Sequence, residues 1–219
     1  MNMYEAARYL AHAIERGSNL NQGAHHVAIG GPSAIGKSTL ARAVKEILVV
    51  DSTAKVSLLE LDGFMMSRSV RRKLHLSGYD PTAHDLATAS RVIDDLLGGR
   101  EANVPIYDHR TGAHAFMHRM APVQVLVVEG VQALHHKLLR ADTIRIEITA
   151  SLLVRIFLRW KDDVRRRNIS WPRAAVHTIR ETWAHHLQSK KRAGDSPAIT
   201  IRRLLFSRYR VVMDKRARS

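Results

Sequence analysis

The string Gly31-Pro32-Ser33-Ala34-Ile35-Gly36-Lys37-Ser38 fills every fixed position of the pattern G-x-x-x-x-G-K-[ST]. It lies directly after the apolar run Val27-Ala28-Ile29 and directly before a helical pattern from Ser38 to Leu48. Glycines there let backbone N–H groups turn inward around phosphate oxygens, and the following helix presents its positive end to the same anion. In that geometry Lys37 reaches the β- and γ-phosphates of a nucleoside triphosphate. Ser38 places a hydroxyl on Mg²⁺, with Thr39 as a neighbouring cap.

Two acids stand where such a cradle needs them. Asp62 follows the apolar run Val56–Leu61, and Glu129 follows Val123–Val128. Ligands of open parallel sheets gather at the carboxyl ends of strands, so both carboxylates are expected to converge on the cradle. Asp62 reads as the base that takes a proton from an acceptor hydroxyl, or as a turn cap. Glu129 reads as a Mg²⁺ ligand, direct or through water, or as a solvated acid at a strand exit.

These residues need a scaffold, and the apolar pattern supplies one. A fourth run, Ile144–Ile148, precedes a helical pattern over Ser151–Arg167; further helices are expected at Pro81–Leu97, Val131–Leu139 and Pro172–Lys190. Strands alternating with helices predict an α/β fold, a mostly parallel sheet with helices on both faces. Gly63–Tyr79 is basic and without clear period, and reads as a loop or lid facing the acceptor. The segment from Met1 to Gly17 reads as a helix packed on the core.

With 219 residues and 45% hydrophobic content, one generous domain spanning 1–219 is expected, without cysteine chemistry of any kind. No run approaches the roughly 20 apolar residues that cross a bilayer, and no apolar signal core opens the chain, so no membrane partner and a cytoplasmic location are the expectation. Residues 151–219 hold 18 Lys and Arg against 5 Asp and Glu, whereas residues 1–150 hold 17 against 15. Such a field attracts polyanions. Among the thirteen histidines, the pairs His25-His26, His135-His136 and His185-His186 are adjacent, so their side chains do not share a helical face and make a poor metal site.

Taken together, GGPSAIGKSTLA at 30–41, LELDGFM at 59–65, GYDPTAHDL at 78–86, VPIYDHRTG at 104–112 and VLVVEGVQAL at 125–134 resemble the uridine kinase and phosphoribulokinase family of P-loop kinases, which also includes bacterial pantothenate kinases. The resemblance covers most of the chain. It implies a P-loop kinase fold with an arginine-rich lid at about 151–190, ATP as donor, Mg²⁺, a small hydroxyl-bearing acceptor and a base at Asp62. Tyr79 and Asp80 match the aromatic and acid that line the sugar pocket of uridine kinases, and Tyr107 matches the aromatic that contacts the base. The position of a base-reading histidine falls on Gly112, with His109 or His114 as substitutes. Arg159 and Arg167 look like the lid arginines that approach the phosphates.

A nucleoside is the acceptor this resemblance favours, with pantothenate or a sugar as alternatives; Gly63-Phe64-Met65 is closer to those latter branches. The basic tail at 202–219 suits a packed edge element with a charged outer face, and it also suits a strip along a phosphate backbone. A polynucleotide hydroxyl as acceptor, or a nucleotide-binding regulator, are therefore the remaining readings. Nucleic acid ranks behind a small molecule as partner, and a homo-oligomer is left open.

Overall fold

The computed structural model describes residues 1–17, 23–167, 197–205 and 208–214. In chain order these form α1 (Met3–Gly17), β1 (His25–Gly30), α2 (Lys37–Asp51), β2 (Val56–Glu60), α3 (Arg68–Lys73) and α4 (Leu86–Leu97). There follow β3 (Ala102–Asp108), β4 (Ala113–Met120), β5 (Val125–Glu129), β6 (Ile144–Ala150), α5 (Leu152–Arg167), β7 (Ile199–Arg203) and β8 (Tyr209–Asp214). Short 3₁₀ turns cover Leu61–Phe64 and Pro81–Ala83. No described helix is long and apolar enough to cross a membrane.

The main sheet has the order β2-β5-β1-β6-β7-β8, parallel throughout except for β8, which returns antiparallel on β7. β5 is buried at every residue between β2 and β1. This is why Val125–Val128 reads as an unbroken apolar run rather than an alternating one. Its side chains still obey the two-residue period. Val125 and Val127 join a core with Leu10, Ile14, Leu40 and Leu48 from α1 and α2, while Leu126 and Val128 join Leu59, Ile93 and Leu96 under α4. The expected α/β sheet covered on both faces is what the chain forms.

Three local expectations are corrected. The segment from Pro81 is not one helix: Asp80 accepts from Thr82 N, Asp85 accepts from Thr88 N, and His84 between them is extended, so α4 starts at Leu86. Each acid captures a backbone N–H and starts its own element. Val131–Leu139 forms successive turns rather than a helix, with Ala133 N bonded to Gly130 O and His135 N to Gln132 O. Its Ala133 and Leu138 still reach the core. Within Gly63–Tyr79 the chain forms α3, capped by Ser67, instead of a continuous loop.

Three strands had no sequence expectation, β7 and the pair β3 and β4. β3 and β4 make a separate antiparallel hairpin around Gly112, whose φ is 77°. The expected helix at Met1–Gly17 is present and buries Leu10 and Ile14 with four alanines. The tail supplies β8 at the sheet edge, with Tyr209 buried and Arg210 exposed. The helix expected at Pro172–Lys190 lies outside the described residues.

Candidate active site

The cradle is built by a run of unusual backbone. Gly31 has φ 142°, Ala34 φ 64° and Gly36 φ 86°, and such left-handed residues are what turn consecutive N–H groups toward one point. Gly31 has no alternative, because a Cβ there would collide with the carbonyl oxygen of Ile148 on β6. α2 begins at Lys37, with Gly36 at its N-cap and no side chain capping it. Thr39, expected as a cap, is exposed in the first turn and does not fill that role. The first-turn N–H groups and the positive helix end are thus left for an anion.

Lys37 is buried and arches back, its Nζ donating to Pro32 O at 2.9 Å. Burial lowers its pKa; the Glu129 and Asp62 carboxylates oppose this, and the Arg159 charge adds to it. Ser38 Oγ donates to Glu129 Oε1 at 2.9 Å. Glu129, buried at the end of β5, has its pKa raised by that burial and by Asp62, against Lys37 and the Ser38 hydrogen bond.

Asp62 does not close β2 itself. It stands two residues beyond, in the 3₁₀ turn, and its Oδ2 meets His109 Nε2 at 3.1 Å. Burial pushes its pKa up, but the His109 hydrogen bond and charge, with Lys37 and His84, bring it net below the ordinary value. Two acids on one cradle therefore shift in opposite directions: the imidazole partner of Asp62 tips it below the ordinary value against burial, whereas at Glu129 burial outweighs Lys37 and the Ser38 hydroxyl. Tyr107, buried on β3, sets its ring edge-on to His109 at 5.3 Å and to His114 at 5.9 Å.

Tyr79 is buried and held from two sides. Gln132 Nε2 donates to its carbonyl at 2.8 Å, and Arg159 Nη1 on α5 donates to its hydroxyl at 2.9 Å. Asp80 spends its carboxylate on Thr82 N and Oγ1, at 2.9 and 2.7 Å. Arg167 ends α5, and its side chain lies outside the described residues. The structure thus brings Lys37, Ser38, Asp62 and Glu129 together at the carboxyl ends of the parallel strands, with Arg159 acting on Lys37 and held by Tyr79, and with His109 and Tyr107 beside Asp62. A cavity of about 430 Å³ is lined by Asp62, Gly63, Tyr107 and His109 with Glu60 and His118.

The family model for the phosphoribulokinase / uridine kinase family matches residues 26–171, the stretch from β1 to α5, with only α1, β7 and β8 outside it. The chain belongs to that family. It is 29% identical over 146 residues to uridine kinase of Lactococcus lactis, covering 64% of this chain and 69% of the relative. It is 25% identical over 167 residues to inorganic pyrophosphatase TTM2 of Arabidopsis thaliana, covering 75% of this chain but 23% of that much longer protein. The solved D-glycerate 3-kinase of Cryptococcus neoformans superposes with a TM-score of 0.68 at 13% identity, over 94% of this chain and 97% of its own, which shows a shared fold.

Beyond the family's motif positions, sequence reading missed three cations. Arg155 is buried one turn before Arg159, its pKa lowered by that burial and raised in part by Tyr79. Arg203 ends β7, donates Nη1 to Ile35 O at 2.6 Å, and stacks 5.7 Å over Tyr209. It lies so close to Gly36 that a Cβ there would strike its Nη1, and its buried Nε has no hydrogen-bond partner among the described residues. The signal was available, since Arg203 follows an apolar run at a strand's carboxyl end. The third, Arg71, had only the loop-like basic segment to announce it.

Proposed function

We propose that the chain is an ATP-dependent phosphotransferase that moves the γ-phosphoryl of ATP to a hydroxyl of a small molecule. The observation that carries this is the convergence of Lys37, Glu129 and Arg159 on a cradle beside Asp62, a carboxylate held ionised by His109. Phosphate oxygens replace the Pro32 carbonyl as partners of Lys37 Nζ. The acceptor hydroxyl donates to Asp62, which takes its proton as the new O–P bond forms and the bond to the β,γ-bridging oxygen breaks, releasing ADP. Arg159, fixed by Tyr79, faces the charge that spreads over the moving group.

The oxygen donors fit Mg²⁺. Ser38 Oγ and Glu129 Oε1 stand 2.9 Å apart, and adjacent ligands at 2.1 Å from an octahedral ion stand about 3.0 Å apart. Bound there, the ion neutralises phosphate charge and lowers the barrier electrostatically.

A cavity of about 430 Å³ beside Asp62 suits one small metabolite rather than a polymer. Within that class, a nucleoside is the acceptor the family resemblance favours, with Tyr107 lining the cavity and Tyr79 matching the family's sugar-pocket aromatic; pantothenate and sugars are the others. The test is ADP release across a panel of hydroxyl compounds, repeated with Asp62→Asn. Acceptor-dependent release that falls at least about a hundredfold in the variant supports the reading. Release that is independent of acceptor, or unchanged in Asp62→Asn, overturns it.

A further inference from the structure

The segment 63–79 contains Arg68, Arg71, Arg72 and Lys73 and no Asp or Glu. Three of the four cations fall in the last turn of α3, where the helix dipole favours positive charge, and that accounts for the exposed Arg72 and Lys73. It does not account for Arg71, which turns inward. Its Nε donates to Met66 O at 3.1 Å, its Nη2 to the Tyr107 hydroxyl at 3.2 Å, and its Nη1 packs by Gly78. Arg68 acts elsewhere, packing on Gly112 and donating to the carbonyls of His109 and Arg110, so that it holds the turn that carries His109.

Contacts run from Arg71 in two directions. Asp62 meets His109, His109 packs on Tyr107, Tyr107 accepts from Arg71, and Arg71 abuts Gly78 beside Tyr79. Tyr79 accepts from Arg159, whose charge acts on Lys37, and Lys37 acts on Asp62. By contact, the base and Arg71 are linked through the His109 imidazole and Tyr107, whose ring lines the cavity beside Asp62 and whose hydroxyl meets Arg71 behind it. Among the described residues neither Arg71 nor Arg68 has a carboxylate within ion-pair distance, and every partner of Arg71 is neutral. A half-buried guanidinium with neutral partners has lost part of its hydration without a countercharge. A planar fork of that kind recognises carboxylate and phosphate oxygens bidentately.

We infer that the acceptor carries an anionic group, a phosphate or a carboxylate, which Arg71 binds while the acceptor's hydroxyl is presented to Asp62. This rests on the phosphotransferase reading above and narrows its acceptor to a hydroxyl compound with an anion at its far end. Tyr107 then serves as the spacer between the two ends, its hydroxyl already committed to Arg71.

The test is calorimetric binding to the protein saturated with Mg²⁺ and a non-hydrolysable ATP analogue, so that the phosphate cradle is filled. Matched probes are ribose against ribose 5-phosphate, glycerol against glycerate and glycerol 3-phosphate, and uridine against uridine 5′-monophosphate. At least one anion is expected to bind at least about tenfold tighter than its neutral partner, and the glycerate arm separates carboxylate from phosphate. Arg71→Met should weaken that anion about 10- to 100-fold, as expected for a hydrogen bond to a charged group, and leave the ATP analogue and the neutral probe unchanged. Arg71→Lys should restore part of the loss. Arg72→Met removes the same charge from an exposed position and should change little. Neutral partners binding as tightly as the anions in every pair would overturn the inference. Equal losses in Arg71→Met and Arg72→Met would also overturn it, since a general field would then be responsible. In either case acceptor-dependent ADP release sensitive to Asp62→Asn would still stand, so the two readings fail separately.

Discussion

His109→Ala is the substitution whose consequence follows most directly from the site. Burial alone would raise the Asp62 pKa, and the hydrogen bond and charge of His109 are the first causes that bring it below its ordinary value. An opposite charge in contact favours the ionised form of a carboxylate. Here the Asp62 and His109 side chains are 34% and 52% exposed, so water screens the pair in part, and removing the imidazole leaves burial opposed only by Lys37 and His84. Catalysis requires ionised Asp62, so kcat/KM falls as pH drops through its pKa. The acid limb of the pH profile should therefore move to higher pH in His109→Ala, toward or above the ordinary carboxylate range. Well above that limb the loss should be modest, because Asp62 is ionised in both proteins. The assay is a coupled ADP-release profile with the best acceptor from the panel, in wild type, His109→Ala, and each in the Asp62→Asn background. An unmoved limb, or a loss equal at all pH values, would refute the reasoning and make His109 an acceptor contact. A further loss from His109→Ala in the Asp62→Asn background would do the same, since a residue acting only through Asp62 has nothing left to act through.

Lys37→Ala should weaken ATP binding and abolish transfer, because it removes the cation that arches over the phosphate loop while leaving the glycine turn intact; titration calorimetry with a turnover assay checks both. Glu129→Gln should raise the Mg²⁺ concentration needed for activity and recover in excess metal, whereas Asp62→Asn should not recover; a Mg²⁺ titration of the two variants separates ligand from base. Arg203→Met should raise the KM for ATP about 10-fold while leaving the acceptor KM unchanged, because it removes the support of Ile35 and Gly36 on the nucleotide side alone. Loss of stability without that split would assign Arg203 to packing.

The parts of the fold that could be read from the chain are those where one force dominates. β5 is buried on both faces, so its composition alone marks it as a central strand, and the left-handed turns at Gly31 and Gly36 admit few residues besides glycine. β4 is the opposite case. It is exposed along its length, and Ala113–Met120 carries neither an apolar stripe nor a clean alternation, so pattern reading has nothing to detect. The stretch from Val131 fails for a third reason. Its spacing does suit a helix, but Gln132 is buried and commits its side chain to the Tyr79 carbonyl, a tertiary bond that holds the chain in turns.

The same division runs through the site. Lys37, Ser38 and Glu129 act through local backbone and one sheet neighbour, so their positions follow from β1 and β5 lying side by side. The partner of Asp62 comes from a hairpin 47 positions later, in an element whose existence the pattern did not disclose. His109 could be placed near an acceptor by resemblance, yet its contact with the base depends on how the turn at Asp108–Gly112 folds back. That turn is set by Gly112 N on Asp108 O, by a positive φ at Gly112, and by Arg68 reaching over from α3. An arginine that fixes a histidine that sets a base is a chain of three contacts between separate elements, each needing the last. This is why a basic segment without periodicity could be recognised as facing the acceptor, while the separate roles of Arg68 and Arg71 within it emerged only from their contacts.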